Sequence, residues 1–516
     1  MRDREEIHRA CRNASLSLIS LLLCAVFALP LAAADRWEVG LSRTGAVIAA
    51  EVVAGASAQS PTVLVVGGLG GNDESSMIVA GQVRTFEAMP QARRPFRLIA
   101  ISVSNPDASK LVFPPTGVAY RENAESHALW RWIAVQAPDL VLVAADNDFG
   151  MADALSQNAV AGVGRIPARR VAAKAGILAA VTGTIAPSPA RLEIERRRAR
   201  TPRQVADEYS QVYGHDFDQP TYIPGMALIS QIRLGHTTDV ARLAAPYLDG
   251  SKSSLPNNPS SLNIASHLVF AELSQRTGDA RALQLVRRAA DLGFTADGMM
   301  KESMPAHDEM SDSIFMATTV LAKAGKLTGE TRYFDMAARH FAFMEKLVRR
   351  PDSLYRHSPL TDAAWGRGNA FAAMGLSLTL SDFPRNHPEF NRMQSSFRAH
   401  ITALVKYQDH DGMWHEVIDH PGAYAETSAT SMIATAILRG IHAGILDAAT
   451  YQPVVDKAWR GVLAHAGSDG VLIDICESTN KQRTLDDYVH RAAILDRDPR
   501  GGGMLMFFAT EMAGLQ

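Results

Sequence analysis

Four short stretches in the second half of the chain gather Asp, Arg, His and Trp where a helical pattern breaks. They are Ser-Asp-Ser-Ile-Phe-Met at 311–316, Asp-Ala-Ala-Trp-Gly-Arg-Gly-Asn at 362–369, Gln-Asp-His-Asp-Gly-Met-Trp-His at 408–415 and Tyr-Ala-Glu-Thr-Ser-Ala-Thr at 424–430. A flat ring stacks on a pyranose, a guanidinium grips a carboxylate through two parallel hydrogen bonds, and a carboxylic acid moves a proton. Together these residue types describe a site for an acidic sugar. Asp312 precedes the apolar run Ile314, Phe315, Met316 and Ala317. It suits either a helix N-cap or a proton donor. Asp308 and Glu309 are near enough to raise its pKa, or they face solvent. Arg367 and Trp365 form a candidate carboxylate grip and sugar platform, with Gly366 and Gly368 leaving backbone room for a ligand and Asn369 beside them. His357 and Trp414 are candidate rim residues. Tyr424 is expected at the mouth, with Glu426 capping the helix that follows. Asp409, Asp411 and Gly412 lack the spacing and terminal Glu of a calcium loop, so turn chemistry is the expectation there.

The elements that must position these residues fall into two kinds. Short β-branched runs at Thr62–Val66, 98–103 and 140–143, with a helix over 123–136 between them, predict a smaller α/β domain with a mostly parallel sheet across 35–183. Residues 184–204 carry a Pro/Ser patch followed by Arg191, Arg196, Arg197, Arg198 and Arg200, the pattern of a surface linker with solvated arginines. From there to residue 516 the pattern is helical. Expected helices include Ser261–Thr277, 280–292, 312–324, Thr331–Val348, 369–379, 389–408, 428–443 and 450–465. Thr-Gly-Asp at 277–279 and Thr-Gly-Glu at 328–330 join helices about one hairpin apart, which suggests a repeat of helix pairs closing into a toroid.

Bulk properties narrow the partners. A net charge of −2 over 516 residues argues against nucleic acid. Arg2, Arg4, Arg9 and Arg12, an apolar run over 16–31 and the small residues at 32–34 read as a signal peptide over 1–34, hence a periplasmic or secreted protein without stable membrane insertion after cleavage. Removal of that segment takes Cys11 and Cys24 and leaves Cys476 with no partner for an intramolecular disulfide.

Taken in order, these pieces resemble the unsaturated glycuronyl hydrolases, glycoside hydrolase families 88 and 105, and more closely the rhamnogalacturonyl branch. The matching residues are Ser261-Leu262-Asn263, Asp312 to Met316, Leu354-Tyr355-Arg356-His357, Trp365 to Asn369, Gln408 to His415, Tyr424 to Thr430 and Gly502-Gly503-Met504, across 205–516. The resemblance implies an (α/α)6 barrel that releases a terminal unsaturated uronic acid. An acid protonates C4 of the C4=C5 vinyl ether, water adds at C5 and the hemiketal falls apart, unlike the scheme of two carboxylates in ordinary glycosidases. It implies Asp312 as the acid/base and no cofactor or metal. Asn263 stands where the family usually has an Asp that assists the donor; an amide neither shares a proton nor carries charge.

The first half resembles the zinc carboxypeptidases at Val65 to Glu74, at Asn105-Pro106-Asp107 and at Pro138 to Val141. Gly70 and the Ala144-Ala145-Asp146 stretch stand where His ligands would be, so the expectation is a carboxypeptidase-like fold without a metal site. The whole chain is therefore expected to be a mainly α protein, an (α/α)6 barrel preceded by a smaller α/β domain, acting on oligosaccharides that end in an unsaturated uronate. The alternative is a catalytically impaired barrel that binds uronate glycans.

Overall fold

The computed structural model describes residues 34–515. The leader expected over 1–34 lies, but for Ala34, outside the described residues.

The first unit runs β1 (Asp35–Leu41), β2 (Val47–Val53), β3 (Thr62–Val66), α1 (Glu74–Glu87), β4 (Arg97–Ile101), α2 (Ala124–Gln136), β5 (Leu140–Ala144), α3 (Met151–Gln157), β6 (Ala168–Val171). The strands form one six-stranded sheet in the order β1-β2-β4-β3-β5-β6. Alternation along β3 explains its two covered faces. Leu64 and Val66 join Leu129 and Ile133 of α2, while Val63 and Val65 join Val79 and Phe86 of α1. The sheet is mostly parallel. β4, β3, β5 and β6 pair in parallel, but β1 and β2 add an antiparallel edge. β2 reads Val-Ile-Ala-Ala-Glu-Val-Val, and its Ala and Glu residues carry little strand preference, so pairing with β1 and β4 decides its state.

Residues 184–204 are not a loose surface linker. They contain α4 (Pro189–Arg198), capped by Ser188 Oγ accepting from Arg191 N at 3.0 Å, and the start of α5 (Pro202–Ser210). Arg197 and Arg200 are buried; Arg197 Nη1 donates to Ala464 O at 3.1 Å and Arg200 Nη2 to Ala466 O at 2.5 Å. Those carbonyls end a later helix and need donors, so part of the basic run joins the two units instead of facing water.

The second unit continues with α6 (Tyr222–Arg233), α7 (Thr237–Leu248), α8 (Ser261–Thr277), α9 (Ala280–Ala290), α10 (Ser313–Thr328), α11 (Thr331–Val348), α12 (Gly366–Asp382), α13 (Phe390–Val405), α14 (Thr427–His442) and α15 (Ala448–His465). β7 (Leu472–Cys476), α16 (Asp486–Val489), β8 (Ala493–Asp496) and α17 (Pro499–Met512) complete it. Helices α6, α8, α10, α12, α14 and α17 each pack on the next, and α17 returns to α6, closing an inner ring. Each of α7, α9, α11, α13 and α15 packs outside the inner helix before it, and α5 covers α17. The inner helices are apolar almost all round, as twice-covered helices must be. This is a six-hairpin (α/α)6 barrel. Among the described residues no helix is long and apolar enough to cross a membrane.

The two units share core. Ala464 and Ile473 of the barrel lie in the apolar cluster of α2. Arg131 is ion-paired with Asp474, both buried, and Tyr120 Oη donates to the same carboxylate at 3.0 Å. Removing one partner of such a pair costs roughly 3–5 kcal/mol, because the other charge stays buried.

Candidate active site

An inner helix always returns through an outer one, so all six inner helices point the same way. Their N-terminal ends meet at one end of the barrel and bring Tyr222, Asn263, Asp312, Arg367, Glu426 and Arg500 to one rim. Helix N-termini carry unpaired N–H groups and partial positive charge, a favourable end for an anionic sugar.

Asp312 does not cap its helix. Its backbone is already helical (φ −53°, ψ −32°), and its side chain makes no capping hydrogen bond. The carboxylate oxygen Oδ2 is buried and lies 3.3 Å from His357 Nε2, off the line of a hydrogen bond. Ahead of it, Ala306, Asp308 and Glu309 have φ of 59°, 48° and 58°, left-handed values that cost each non-glycine residue about 1 kcal/mol or more. Asp308 and Glu309 are exposed, and Glu309 is tied to Lys481 at 3.1 Å.

His357 is buried, packed on Trp365 with ring centroids 4.5 Å apart, and its Nδ1 lies 2.7 Å from Tyr488 Oη. Gln482 N donates to that same Oη at 3.2 Å, which leaves the phenol proton for His357 Nδ1 and places the ring's own proton on Nε2, facing Asp312. Burial, and after the opposing Gln482 bond the nearby charge of Asp312, pushes the Tyr488 phenol up to about 12. Tyr488 is a residue of the candidate site that sequence reasoning missed; no spacing rule connects it to a His 131 positions away. Tyr488→Phe is expected to lower kcat about ten-fold, near one lost hydrogen bond, and to shift the pH–rate profile with melting nearly unchanged. An unaltered profile would reduce Tyr488 to packing.

Arg367 and Trp365 sit deeper than a sugar platform requires. Trp365 is 2% exposed and donates Nε1 to Glu416 Oε1 at 2.9 Å. Arg367, also 2% exposed, donates Nη1 to Ser428 Oγ (3.2 Å) and Cys476 O (3.0 Å), and lies 3.8 Å from Glu426 Oε1. Its Nε has no partner. Burial, then the charge of Glu426, pushes the Glu416 carboxyl up to about 8. Tyr222 lies in the fields of Arg367 and Asp312 together; burial raises its phenol to about 12, with Arg367 opposing and Asp312 adding to the rise.

Other expected site residues have structural employment. Asn263 Oδ1 accepts from Ser260 N (3.1 Å) and Oγ (2.8 Å), and its Nδ2 donates to Pro220 O at 2.8 Å: a capping box at the start of α8, with no bond to Asp312. Asn369 holds the segment at Tyr355 to α12 through Tyr355 N and O, both at 2.8 Å. Trp414 is a core residue instead of a rim residue, fully buried with Nε1 donating to Leu404 O at 2.7 Å. Tyr424 stacks on Tyr120 of the sheet unit, ring centroids 4.4 Å apart, so it lines a pocket at the seam between the units. Glu426 caps α14 as expected, accepting from Ala429 N at 2.5 Å. Asp409 Oδ1 accepts from Asp411 N and Met413 N, the expected turn, and Gly412 (φ 91°) is required there because a Cβ would meet Lys457 O at 2.2 Å.

Comparison with known proteins places these features. A fragment of 186 residues is 28% identical to an unsaturated rhamnogalacturonyl hydrolase of Bacillus subtilis, covering 34% of this chain and 52% of that protein. Another is 27% identical over 172 residues to an unsaturated 3S-rhamnoglycuronyl hydrolase of an Alteromonas species, covering 31% of this chain and 42% of that protein. The chain thus spans about half the length of the curated relatives it matches. Among solved structures, a possible family 105 member from Salmonella enterica superposes with a TM-score of 0.51 at 22% identity, over 62% of this chain and 94% of that one. A glycosyl hydrolase family 88 protein from Bacteroides vulgatus gives 0.52 at 16% identity, over 63% and 99%. These identities speak for the fold alone. The family model described as Glycosyl Hydrolase Family 88 matches residues 236–516, more than half of the chain and all six inner helices but α6, and to that family this chain belongs.

Proposed function

We propose that this protein hydrolyses oligosaccharides ending in a 4,5-unsaturated uronic acid and releases that sugar. The observation that carries the reading is Asp312: an acid at the convergent helix N-termini, free of the capping role its position invites, with one buried oxygen facing only His357. Asp312 protonates C4, and the π electrons leave a cation at C5 stabilised by the ring oxygen. Water then adds at C5 while its proton returns to Asp312, and the resulting hemiketal opens to release the remaining saccharide. His357, oriented by Tyr488, turns its Nε2 toward the carboxyl and the incoming water. Arg367, with Nε unspent and within the field of Tyr222 beside Asp312, is the guanidinium for the substrate carboxylate. The names of the matched relatives support the same substrate class.

A panel of lyase-generated unsaturated oligosaccharides, followed by loss of double-bond absorbance, tests the reading. Decay with one member is expected and identifies the parent polysaccharide. Saturable binding with no decay across the panel would favour a uronate-glycan receptor, the reading that Asn263, an amide locked in a capping box, keeps open.

Export and a carboxypeptidase-like, zinc-free first unit belong to the same proposal. The second is supported by Asp73, near the family's Glu ligand, which is spent capping α1 through Ser75 N at 2.9 Å and Ser76 N at 3.2 Å. Mature N-terminal sequencing and zinc analysis of the purified protein decide these two points.

A further inference from the structure

We propose that the opposite end of the barrel binds a small dianionic oxyanion of the sulfate or phosphate type. All six inner helices end there, and five of them line a cavity of about 370 Å³. Helix C-termini carry partial negative charge, so some lysines and arginines are expected on that face. The arrangement goes further than dipole matching.

Arg233, at the end of α6, and Arg439, near the end of α14, both line the cavity and share a single carboxylate oxygen, Glu511 Oε1 of α17; Arg233 Nη1 donates to it at 2.8 Å. Both guanidinium Nε atoms are buried with no acceptor, and the Arg233 side chain is only 7% exposed. A buried N–H without an acceptor costs about 1–3 kcal/mol, more when it carries charge, so each such group calls for an occupant. Burial holds the Arg233 pKa below its ordinary value despite Glu511, as expected of a guanidinium whose counter-charge is incomplete.

The cavity rim repeats the imbalance. Lys323 and Lys326 of α10 share Asp382 of α12, at 3.2 and 2.6 Å. Arg385 also lines the cavity and donates to the Ala443 carbonyl at 2.7 Å. The remaining acid on the wall, Glu272, lies 3.8 Å from Arg276. Five cations therefore face the cavity while two carboxylates line it and a third, Glu511, lies against its two arginines. A tetrahedral oxyanion accepts hydrogen bonds in every direction and carries the charge that is lacking. Glu511 Oε2 also lacks a donor, and an ordered water bridging it to the arginines is the rival occupant.

Calorimetric titration of the full-length protein with sodium sulfate and with sodium phosphate, against sodium chloride at equal ionic strength, separates the two. Saturable 1:1 binding of either oxyanion is expected, weakened at least ten-fold in Lys326→Gln/Arg385→Gln. Both positions are on the rim, away from the buried arginines and from the catalytic end, so folding and hydrolysis should persist in that variant. Sulfate raises the melting temperature of most proteins by exclusion from their surface. A rise of equal size in the variant, with no saturable heat, would overturn the proposal in favour of water. Saturation by glucuronate but by neither inorganic anion would overturn it as well, in favour of a carboxylate site.

Discussion

Asp312→Asn is expected to remove roughly 10²–10⁴ of kcat, the range of a general acid–base group, while the melting temperature stays within a degree or two. The two halves of this expectation have separate grounds. Activity falls because an amide at this position has no proton to give C4 and cannot take one from water. Stability holds because the native carboxylate caps nothing, and its one polar neighbour, His357 at 3.3 Å, is not aligned for a hydrogen bond. Asn263→Ala should behave in the opposite manner. It deletes one half of a capping box and a bond to Pro220 O, worth about 1 kcal/mol in a denaturant titration, with a much smaller loss of rate. Residual activity in Asp312→Asn above a tenth of the native rate would remove Asp312 from the mechanism.

Arg367→Met is expected to cost about 3–5 kcal/mol in urea unfolding, the cost of stranding buried charge, and to abolish hydrolysis with it. The guanidinium stands between Glu416 and Glu426, both with no measurable exposure, and it also satisfies Cys476 O and Ser428 Oγ. Replacement leaves two buried carboxyls facing each other. Because burial and Glu426 lift Glu416 to about 8, that carboxyl is mostly protonated at neutral pH, and Glu416→Gln imitates it. The charge stranded by the loss of Arg367 is therefore that of Glu426, and the double variant Arg367→Met/Glu426→Gln should recover part of the loss. A double variant no more stable than Arg367→Met would show that charge is not what Arg367 contributes.

The same shift gives a pH signature. In the unfolded chain Glu416 loses its proton near 4.5; in the folded protein it keeps the proton to about 8. Between those values the native state holds one proton more than the unfolded state, so this residue makes stability fall as pH rises through that window, at about 1.4 kcal/mol per unit. Below the window the stability is held in full, and above it the loss is complete. Glu416→Gln should flatten that slope, an outcome readable from urea midpoints between pH 5 and 8.

Local signals settled much of the architecture in advance. Helices Ser261–Thr277 and Thr331–Val348 stand where expected: Ser260 and Gly278 cap the two ends of the first, and Gly329 ends the helix just before the second, each acting on the backbone within one turn. Strand Thr62–Val66 was equally legible, since a β-branched run bounded by breakers has few alternatives. Asp312 and His357 were visible as chemistry-bearing residues. What the sequence by itself determined, then, is the helical class of the second half and its hairpin order, with Asp312 marked as the candidate acid.

Tertiary structure decided the rest. Strand β2 depends on β4, a partner remote in sequence, and the basic run over 184–204 is partly buried only because the end of α15 presents carbonyls to it. Trp365 and Trp414 have the composition of a sugar-binding surface, yet ring closure buries them. A surface aromatic and a core aromatic are the same residue until the neighbouring helix arrives. The pairing of Asp312 with His357, and of His357 with Tyr488, likewise exists only after six helices have closed into one ring. Caps and periodicity are read over one or two turns, whereas burial and proton relays are set by contacts between segments far apart in the chain, and no local pattern encodes which of those segments will meet.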